Sequence, residues 1–126
     1  MLIERKNITK ILKTIEELKT RRFNINTQYK MLKIEKAILQ EQAIFQEQIE
    51  TNCKDFFEKD ANGNPLINGS GGYKIQKDKI EDCCNLINRL TALKIQLPDI
   101  YFSLDELEEL DLTLEELQAL ENFVKI

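Results

Sequence analysis

The sequence predicts a mainly α-helical protein with a small β component. Apolar residues recur at helical spacing through most of the 126 residues, and all four glycines and one of the two prolines fall within residues 60–76. The composition, 42% hydrophobic and 32% charged without tryptophan, is typical of well-solvated helices. We therefore expect a single domain built as a long helical hairpin with a β-hairpin at its tip, an N-terminal helix and two short acidic C-terminal helices.

Residues 1–25 are predicted to form a basic N-terminal helix. Leu2-Ile3 has the character of a short strand, and Asn7 is a residue type favoured at helix N-caps. The apolar residues that follow have the i, i+3, i+4, i+7 pattern of an amphipathic helix: Ile8, Ile11, Leu12, Ile15 and Leu18. The pattern breaks after Thr20, and Asn24 or Asn26 is suited to cap a new helix, so we expect a corner there.

Residues 26–59 are predicted to form one long helix. Its apolar positions recur in steps of three, four or seven: Met31, Ile34, Ile38, Phe45, Ile49, Cys53 and Phe56, widened by Leu32, Leu39, Ala43 and Ile44. Such a helix would be roughly 50 Å long, too long for one helix of a small domain to cover. We therefore expect either a projecting arm or a homo-oligomer whose interface contains Met31, Ile34, Ile38, Phe45 and Ile49.

Residues 60–76 are predicted to form a β-hairpin or turn, and residues 77–93 a return helix. Asn62-Gly63, Asn68-Gly69 and Gly71-Gly72 supply the positive φ angles that tight turns need. The return helix should place its apolar residues inward: Ile80, Cys83, Cys84, Ile87 and Leu90. Three cysteines do not make a disulfide framework, so we expect reduced thiols, with Cys53 and one of the adjacent pair in the core.

Residues 94–126 are predicted to contain an edge strand followed by two acidic helices. Pro98 restricts any strand here to an edge position, and the strand is placed to pair with the Leu2–Lys6 segment. Ser103 with Glu106, and Thr113 with Glu116, have the spacing of capping boxes. Their carboxylates lie in first helical turns, which the helix dipole favours, so the acids have a structural explanation.

The residue types exclude most familiar catalytic and metal sites. The sequence has no histidine, and Cys83-Cys84 lacks the spacer of a zinc knuckle. The glycine-rich segment carries no Gly-Lys-Ser/Thr motif, and a calcium loop starting at Asp60 would have Gly71 where the bidentate glutamate belongs. We therefore expect no enzyme, no cofactor and no bound metal.

Charge is unevenly distributed along the chain. Residues 1–36 contain ten basic and four acidic residues, net +6, whereas residues 94–126 contain two basic and nine acidic residues, net −7. The candidate ligand site is the basic corner, where guanidinium, ammonium, amide and aromatic groups suited to a nucleotide or phosphate lie near a helix N-terminus: Arg21, Arg22, Asn26, Tyr29 and Lys33. The alternatives are a solvated basic surface or a set of partners for the acidic C-terminal helices.

The order of these signals resembles that of a family of small phage and prophage proteins of unknown function, from viruses of low-GC Gram-positive bacteria. The residues that carry the resemblance are Phe57–Ile67, Gly72–Ile75, Phe102–Leu107 and Leu112–Leu117. It implies a protein of the host bacterial cytoplasm. We expect it to inhibit a host defence system, by occluding a defence protein or sequestering a nucleotide signal, or alternatively to assist virion assembly. Neither a membrane nor a nucleic acid is an expected partner.

Overall fold

The computed structural model describes residues 1–125 and confirms a mainly helical chain with a small β component. The elements in order are β1 (Leu2–Glu4), α1 (Ile8–Leu18), α2 (Ile25–Cys53), α3 (Ile80–Thr91), β2 (Lys94–Gln96), α4 (Leu104–Leu110) and α5 (Leu114–Ala119). Contacts group them into two compact units, one joining Met1–Glu41 with the chain from Lys94 onwards, the other Gln42–Leu93. That the whole chain is one domain stays a prediction.

The two segments of the first unit are joined by the predicted ribbon. Strands β1 and β2 pair antiparallel, with Ile3 opposite Ile95 and both side chains buried. The terminal amino group donates to the Leu97 carbonyl at 2.7 Å and pairs with Asp99 at 2.6 Å. Since strand side chains alternate, Leu2 and Glu4 point to solvent while Ile3 enters the core.

The core of the first unit contains three residues that were predicted to lie in an oligomer interface. Met31, Ile34 and Ile38 are at most 2% exposed, packed among side chains of α1, α4 and the C-terminal residues. Their assignment to an interface between copies was therefore wrong. Helical periodicity shows which face is covered but does not distinguish a covering helix of the same chain from one of another copy.

Two asparagines behave differently at the helix starts. Asn7 occupies the N-cap position of α1, but its side chain makes no capping bond, because a 3₁₀ turn at Arg5–Asn7 leads directly into the helix. Asn24 caps α2: its Oδ1 accepts from the Thr27 amide at 2.9 Å. Of the two predicted caps for the long helix, Asn24 is thus the one used.

Both predicted capping boxes form at the acidic helices. The Ser103 hydroxyl accepts from the Glu106 amide and the Glu106 carboxylate accepts from the Ser103 amide, at 3.3 and 3.1 Å. Thr113 and Glu116 repeat the arrangement at 3.2 and 2.9 Å. Each box satisfies two amides that a helix N-terminus otherwise leaves unpaired.

The second unit has a small core around two cysteines. Cys53, Phe57 and Cys83 are buried, with side chains from α2 and α3 around them. Cys84 is exposed and Ile80 is 49% exposed, so their inward assignment was wrong. Adjacent residues on a helix point about 100° apart, so a narrow contact face accommodates only one of the two cysteines. Phe45 and Ile49 belong to this unit, are partly buried, and their role between copies stays a prediction.

The predicted chain reversal is a ring of three extended segments rather than a two-stranded hairpin. Single antiparallel bridges join them in turn: Phe57 with Ile75, Lys59 with Pro65, and Ile67 with Tyr73. The middle residues close the ring, as Glu58 N donates to Lys74 O, Lys74 N to Leu66 O and Leu66 N to Glu58 O, at 2.8, 2.9 and 2.8 Å. Equivalent positions are eight residues apart in the sequence.

The turns of the ring follow the same eight-residue period. The Asp60 and Asn68 Oδ1 atoms each accept from the amides two and four residues later. Gly63 and Gly71 both have φ of 83°, a conformation that glycine adopts without strain. At the third equivalent position Gln76 donates to the Asp55 and Phe57 carbonyls at 3.2 Å, and the chain continues into α3. The Asp60 carboxylate thus accepts hydrogen bonds from backbone amides of its own turn.

Candidate functional site

The side chains of the basic corner do not converge on a common binding site. Arg21 is committed elsewhere: its Nη2 donates to both Glu116 carboxylate oxygens at 3.1 and 2.9 Å, and its Nη1 donates to the Leu110 carbonyl at 3.1 Å. Its predicted role in ligand binding is therefore replaced by the alternative, a partner for the acidic C-terminal helices. Bonds from the Thr113 amide and from Arg21 hold the pKa of the Glu116 carboxyl below its usual range, against the effect of burial.

Lys30, a cation next to the basic corner, is paired in the same way. Lys30 donates to Glu106 at 2.7 Å and to the Tyr101 carbonyl at 2.8 Å, and Thr27 donates to the other Glu106 oxygen at 3.1 Å. Burial by itself raises the pKa of Glu106, but the bonds from Lys30, the Ser103 amide and Thr27 outweigh it and lower the pKa to about 2. These contacts fasten α4 against the first turns of α2.

A shallow depression of about 250 Å³ lies beside the corner and offers no free set of anion donors. Its lining residues are Lys19, Arg21, Phe23, Gln28, Met31 and Leu32. Lys19 is paired with Glu35 at 2.6 Å, Arg21 with Glu116, and Gln28 donates to the Phe23 carbonyl at 2.9 Å. Binding a phosphate here would require breaking ion pairs that the fold already uses.

The other corner residues are exposed on the outer side of α2. Arg22, Asn26, Tyr29 and Lys33 all face solvent, and the Lys33 Nζ lies 4.6 Å from the centre of the Tyr29 ring, in a cation–π contact. Asn26, Tyr29 and Lys33 share one side of the helix, as their spacing predicts. They form part of an open surface, which suits a protein partner better than a small molecule.

That surface contains a row which we call the outer stripe: the apolar Ile25, Tyr29, Leu32 and Leu39, with Lys36 between the last two. The spacing of four, three, four and three residues keeps the row on one side of the helix, opposite the buried Met31, Ile34 and Ile38. Ile25 is 78% exposed, Tyr29 60%, and Leu32 and Leu39 46% each. Exposed large apolar side chains grouped on one side of a helix are a common feature of interaction surfaces.

The charged side chains within and beside the outer stripe are all positive. Arg22, Lys33 and Lys36 are exposed and form no ion pair within residues 1–125. The one carboxylate between residues 22 and 40 is Glu35, which is 8% exposed and bonded to Lys19. From the sequence, Leu32 and Leu39 were assigned to the buried side of the helix. The alternating spacing of four and three residues from Ile25 to Leu39 could have predicted that they form a separate row.

A second apolar surface, of opposite charge, lies on the acidic helices. A groove of about 410 Å³ is lined by four leucines and two acids, which we call the leucine groove: Leu104, Leu107, Glu108, Asp111, Leu112 and Leu117. Leu104 is 52% and Leu117 39% exposed. Residues 95–124 contain no lysine or arginine, and the carboxylates of Glu108 and Asp111 have no cationic partner in the described chain. The predicted capping boxes account for Glu106 and Glu116 but not for Glu108 and Asp111.

The described residues contain no group of three or more His, Cys, Asp or Glu placed to hold a metal ion. Within the same residues, none of the helices combines the length and the hydropathy that crossing a membrane requires. Comparison with protein-family models, with curated proteins and with solved structures found no match. The two charged apolar surfaces of the first unit, the outer stripe and the leucine groove, are thus its candidate binding surfaces.

Proposed function

We propose that this chain is a non-enzymatic binding protein that acts by holding another protein at its outer stripe. Following the resemblance to phage proteins, we further propose that it acts in the host bacterial cytoplasm and that the partner is a host protein, such as a component of a defence system. Occluding a protein is favoured over sequestering a nucleotide, because Lys19 and Arg21, the cations of the 250 Å³ depression beside the corner, are already paired.

The observation that carries the proposal is the exposed apolar row on α2 with cations beside it. Large apolar side chains at helical spacing supply the anchors of a helix-in-groove interface. Arg22, Lys33 and Lys36 would then select a partner with an acidic rim and speed its association. The second candidate is a virion assembly factor, which the same surface suits, because an assembly factor also covers apolar surface of another protein.

Site-specific crosslinking tests the proposal. A photoreactive amino acid replacing Leu32 in the full chain, expressed during infection of a defence-active host, should crosslink one protein of the host. The same amino acid at Glu81, exposed on α3, is the matched control. A second chain carrying the crosslinker at Leu32 and Leu39→Glu should lose the product, since the charge lies within the stripe. Equal crosslinking from both positions, or none from Leu32, would overturn the proposal.

The identity of the crosslinked protein separates the two candidates. A defence component favours inhibition, and deletion of the chain should then reduce phage yield only in hosts that carry that defence system. A virion protein favours assembly, and the deletion should then give defective particles even in a host without defence systems. Normal particles in that host would discard the assembly candidate.

A further inference from the structure

We propose that the leucine groove of one copy binds the outer stripe of a second copy. The chain would then associate with itself head to tail, through two different surfaces. This goes beyond the proposed function, because it assigns an occupant to a second surface. It also has a regulatory consequence, since the stripe of a self-associated copy is covered and another partner must compete for it.

The two surfaces are complementary in charge and alike in apolar character. The stripe offers Ile25, Tyr29, Leu32 and Leu39 beside exposed cations, while the groove offers four leucines beside exposed acids. Arg22, Lys33 and Lys36 on one side, and Glu108 and Asp111 on the other, have no ion pair within residues 1–125. Docking would pair charges that the single chain leaves unpaired.

The stripe of a chain is directed away from the groove-bearing helices of that same chain. Helix α4 contacts the opposite side of α2, where Asn24 donates to Glu109 and both Thr27 and Lys30 donate to Glu106. Residues 25–39 extend about 21 Å along the helix, and their outward side faces solvent. A stripe that occupies the groove must therefore come from another molecule, and a second copy carries it.

Such a contact is heterologous, because stripe and groove are different patches. Each docked copy still has one free stripe or one free groove, so association continues into rings or open chains rather than stopping at a symmetric dimer. The charges lie at exposed positions, so added salt should weaken the association. This distinguishes the contact from one formed by apolar burial alone.

Charge reversal on each surface tests the inference by sedimentation velocity at tens of micromolar and low salt. The wild type should form species larger than a dimer as concentration rises. Lys33→Glu/Lys36→Glu, or Glu108→Lys/Asp111→Lys, should each weaken association about tenfold or more, because like charges then face each other. Because Asp111 has a φ of 50°, Glu108→Lys alone is included as a variant confined to the regular helix.

Restoration gives the decisive result. A chain with all four reversals, or an equal mixture of the two double variants, should regain wild-type association, because opposite charges meet again. Lys10→Glu/Lys13→Glu on α1 changes the net charge by as much as the stripe variant does, outside both surfaces, and is the matched control for that variant. A monomer under all conditions, or a dimer that no groove variant alters, would overturn the inference.

The inference and the proposed function fail separately. Glu108→Lys leaves the outer stripe intact, so its crosslinked partner from infected cells should remain and should increase if self-association competes. If Glu108→Lys abolishes self-association but the crosslinked partner remains, the groove is needed for self-association and not for binding that partner. A protein that associates as described but captures no partner at Leu32 would leave the groove inference standing and discard the proposed function.

Discussion

Arg21 and Glu116, 95 residues apart in sequence, are joined by hydrogen bonds from one guanidinium nitrogen to both carboxylate oxygens at 3.1 and 2.9 Å. The same carboxylate accepts from the Thr113 amide at 2.9 Å. Glu116 thus caps α5 and anchors it to the corner after α1. The most basic and the most acidic parts of the sequence meet at this pair, which accounts for part of the charge asymmetry without any ligand.

Removing the Arg21 side chain should destabilise the fold. In Arg21→Ala the Glu116 side chain, 6% exposed, would keep its burial and lose its cation, at a cost of about 2 kcal/mol. Arg22→Ala removes the neighbouring guanidinium, which is exposed, and should cost less than about 0.5 kcal/mol. Urea denaturation measures both values, and equal losses would contradict the role assigned to Arg21.

Stability should fall in acid as the bonded carboxylates take up protons. Glu106 has a pKa lowered from its ordinary 4.5 to about 2. A lowered pKa in the folded state adds stability that is complete above the unfolded value and is lost as pH falls from about 4.5 towards 2. Glu106→Gln keeps a residue able to complete a capping box but cannot titrate, so its free energy of unfolding should vary less across this interval.

The control for this pH profile is Asp105→Asn, which removes an exposed carboxylate from the same first turn. It should retain the acid-dependent loss of stability seen in the wild type. Urea denaturation at several pH values between 2 and 6 provides the comparison. A Glu106→Gln profile as steep as that of Asp105→Asn would contradict the assignment.

The three thiols should differ in reactivity in the native protein. Cys84 is exposed, whereas Cys53 and Cys83 are buried. Burial and the neighbouring Cys53 raise the pKa of the Cys83 thiol to about 11, which keeps it protonated and a poor nucleophile. At pH 8, iodoacetamide should alkylate Cys84 first, as peptide mass spectrometry would show. Rapid alkylation of Cys83 would contradict this order and would indicate that the core of the second unit unfolds locally.

The two sides of α2 should respond differently to truncation. Ile34→Ala opens a cavity at a fully buried position and should cost about 3 kcal/mol. Leu32→Ala, two residues earlier and 46% exposed, should cost less than about 1 kcal/mol while weakening partner binding. Thermal and urea unfolding would test the pair, and a larger loss for Leu32 would contradict the assignment of inner and outer sides.

Alanine substitutions at two nearby glycines of the ring, Gly69 and Gly71, should have different effects on stability. Gly71 has a φ of 83°, and an alanine there would be strained by about 1 kcal/mol even though a Cβ meets no atom within 4 Å. Gly69 has the same free space without a positive φ, so Gly69→Ala should be neutral or slightly stabilising. Gly71→Ala should therefore lower the urea midpoint relative to Gly69→Ala.

Local signals predicted most of the fold. The Ser103 and Thr113 capping boxes and the Asn24 cap depend on chemistry within a few residues, and the ribbon of Leu2–Glu4 with Lys94–Gln96 depends on two short β-prone runs. The ring at residues 57–76 was less visible. Its period of eight residues appears in the sequence only at the turns, as Asp60 with Asn68 and Gly63 with Gly71, whereas the extended positions Phe57, Pro65 and Tyr73 differ.

The candidate site was predicted only in part. The sequence identified the exposed Arg22, Asn26, Tyr29 and Lys33, but it grouped with them Arg21, whose partner lies 95 residues away. Such pairing depends on tertiary contacts that residue types alone do not encode. For the same reason, the sequence did not show that α1 and α4 already cover Met31, Ile34 and Ile38, leaving the other side of the helix exposed.

The closed hydrogen bonding around Glu58, Leu66 and Lys74 has a consequence for the behaviour of the chain in a crowded cell. An ordinary two-stranded hairpin has unpaired backbone along both flanks, which other chains can extend into larger sheets and eventually into aggregates. In a circle of three segments, each has a neighbour on both sides. The glycine-rich part of this protein is thereby protected against strand addition, which the predicted two-stranded hairpin would not be.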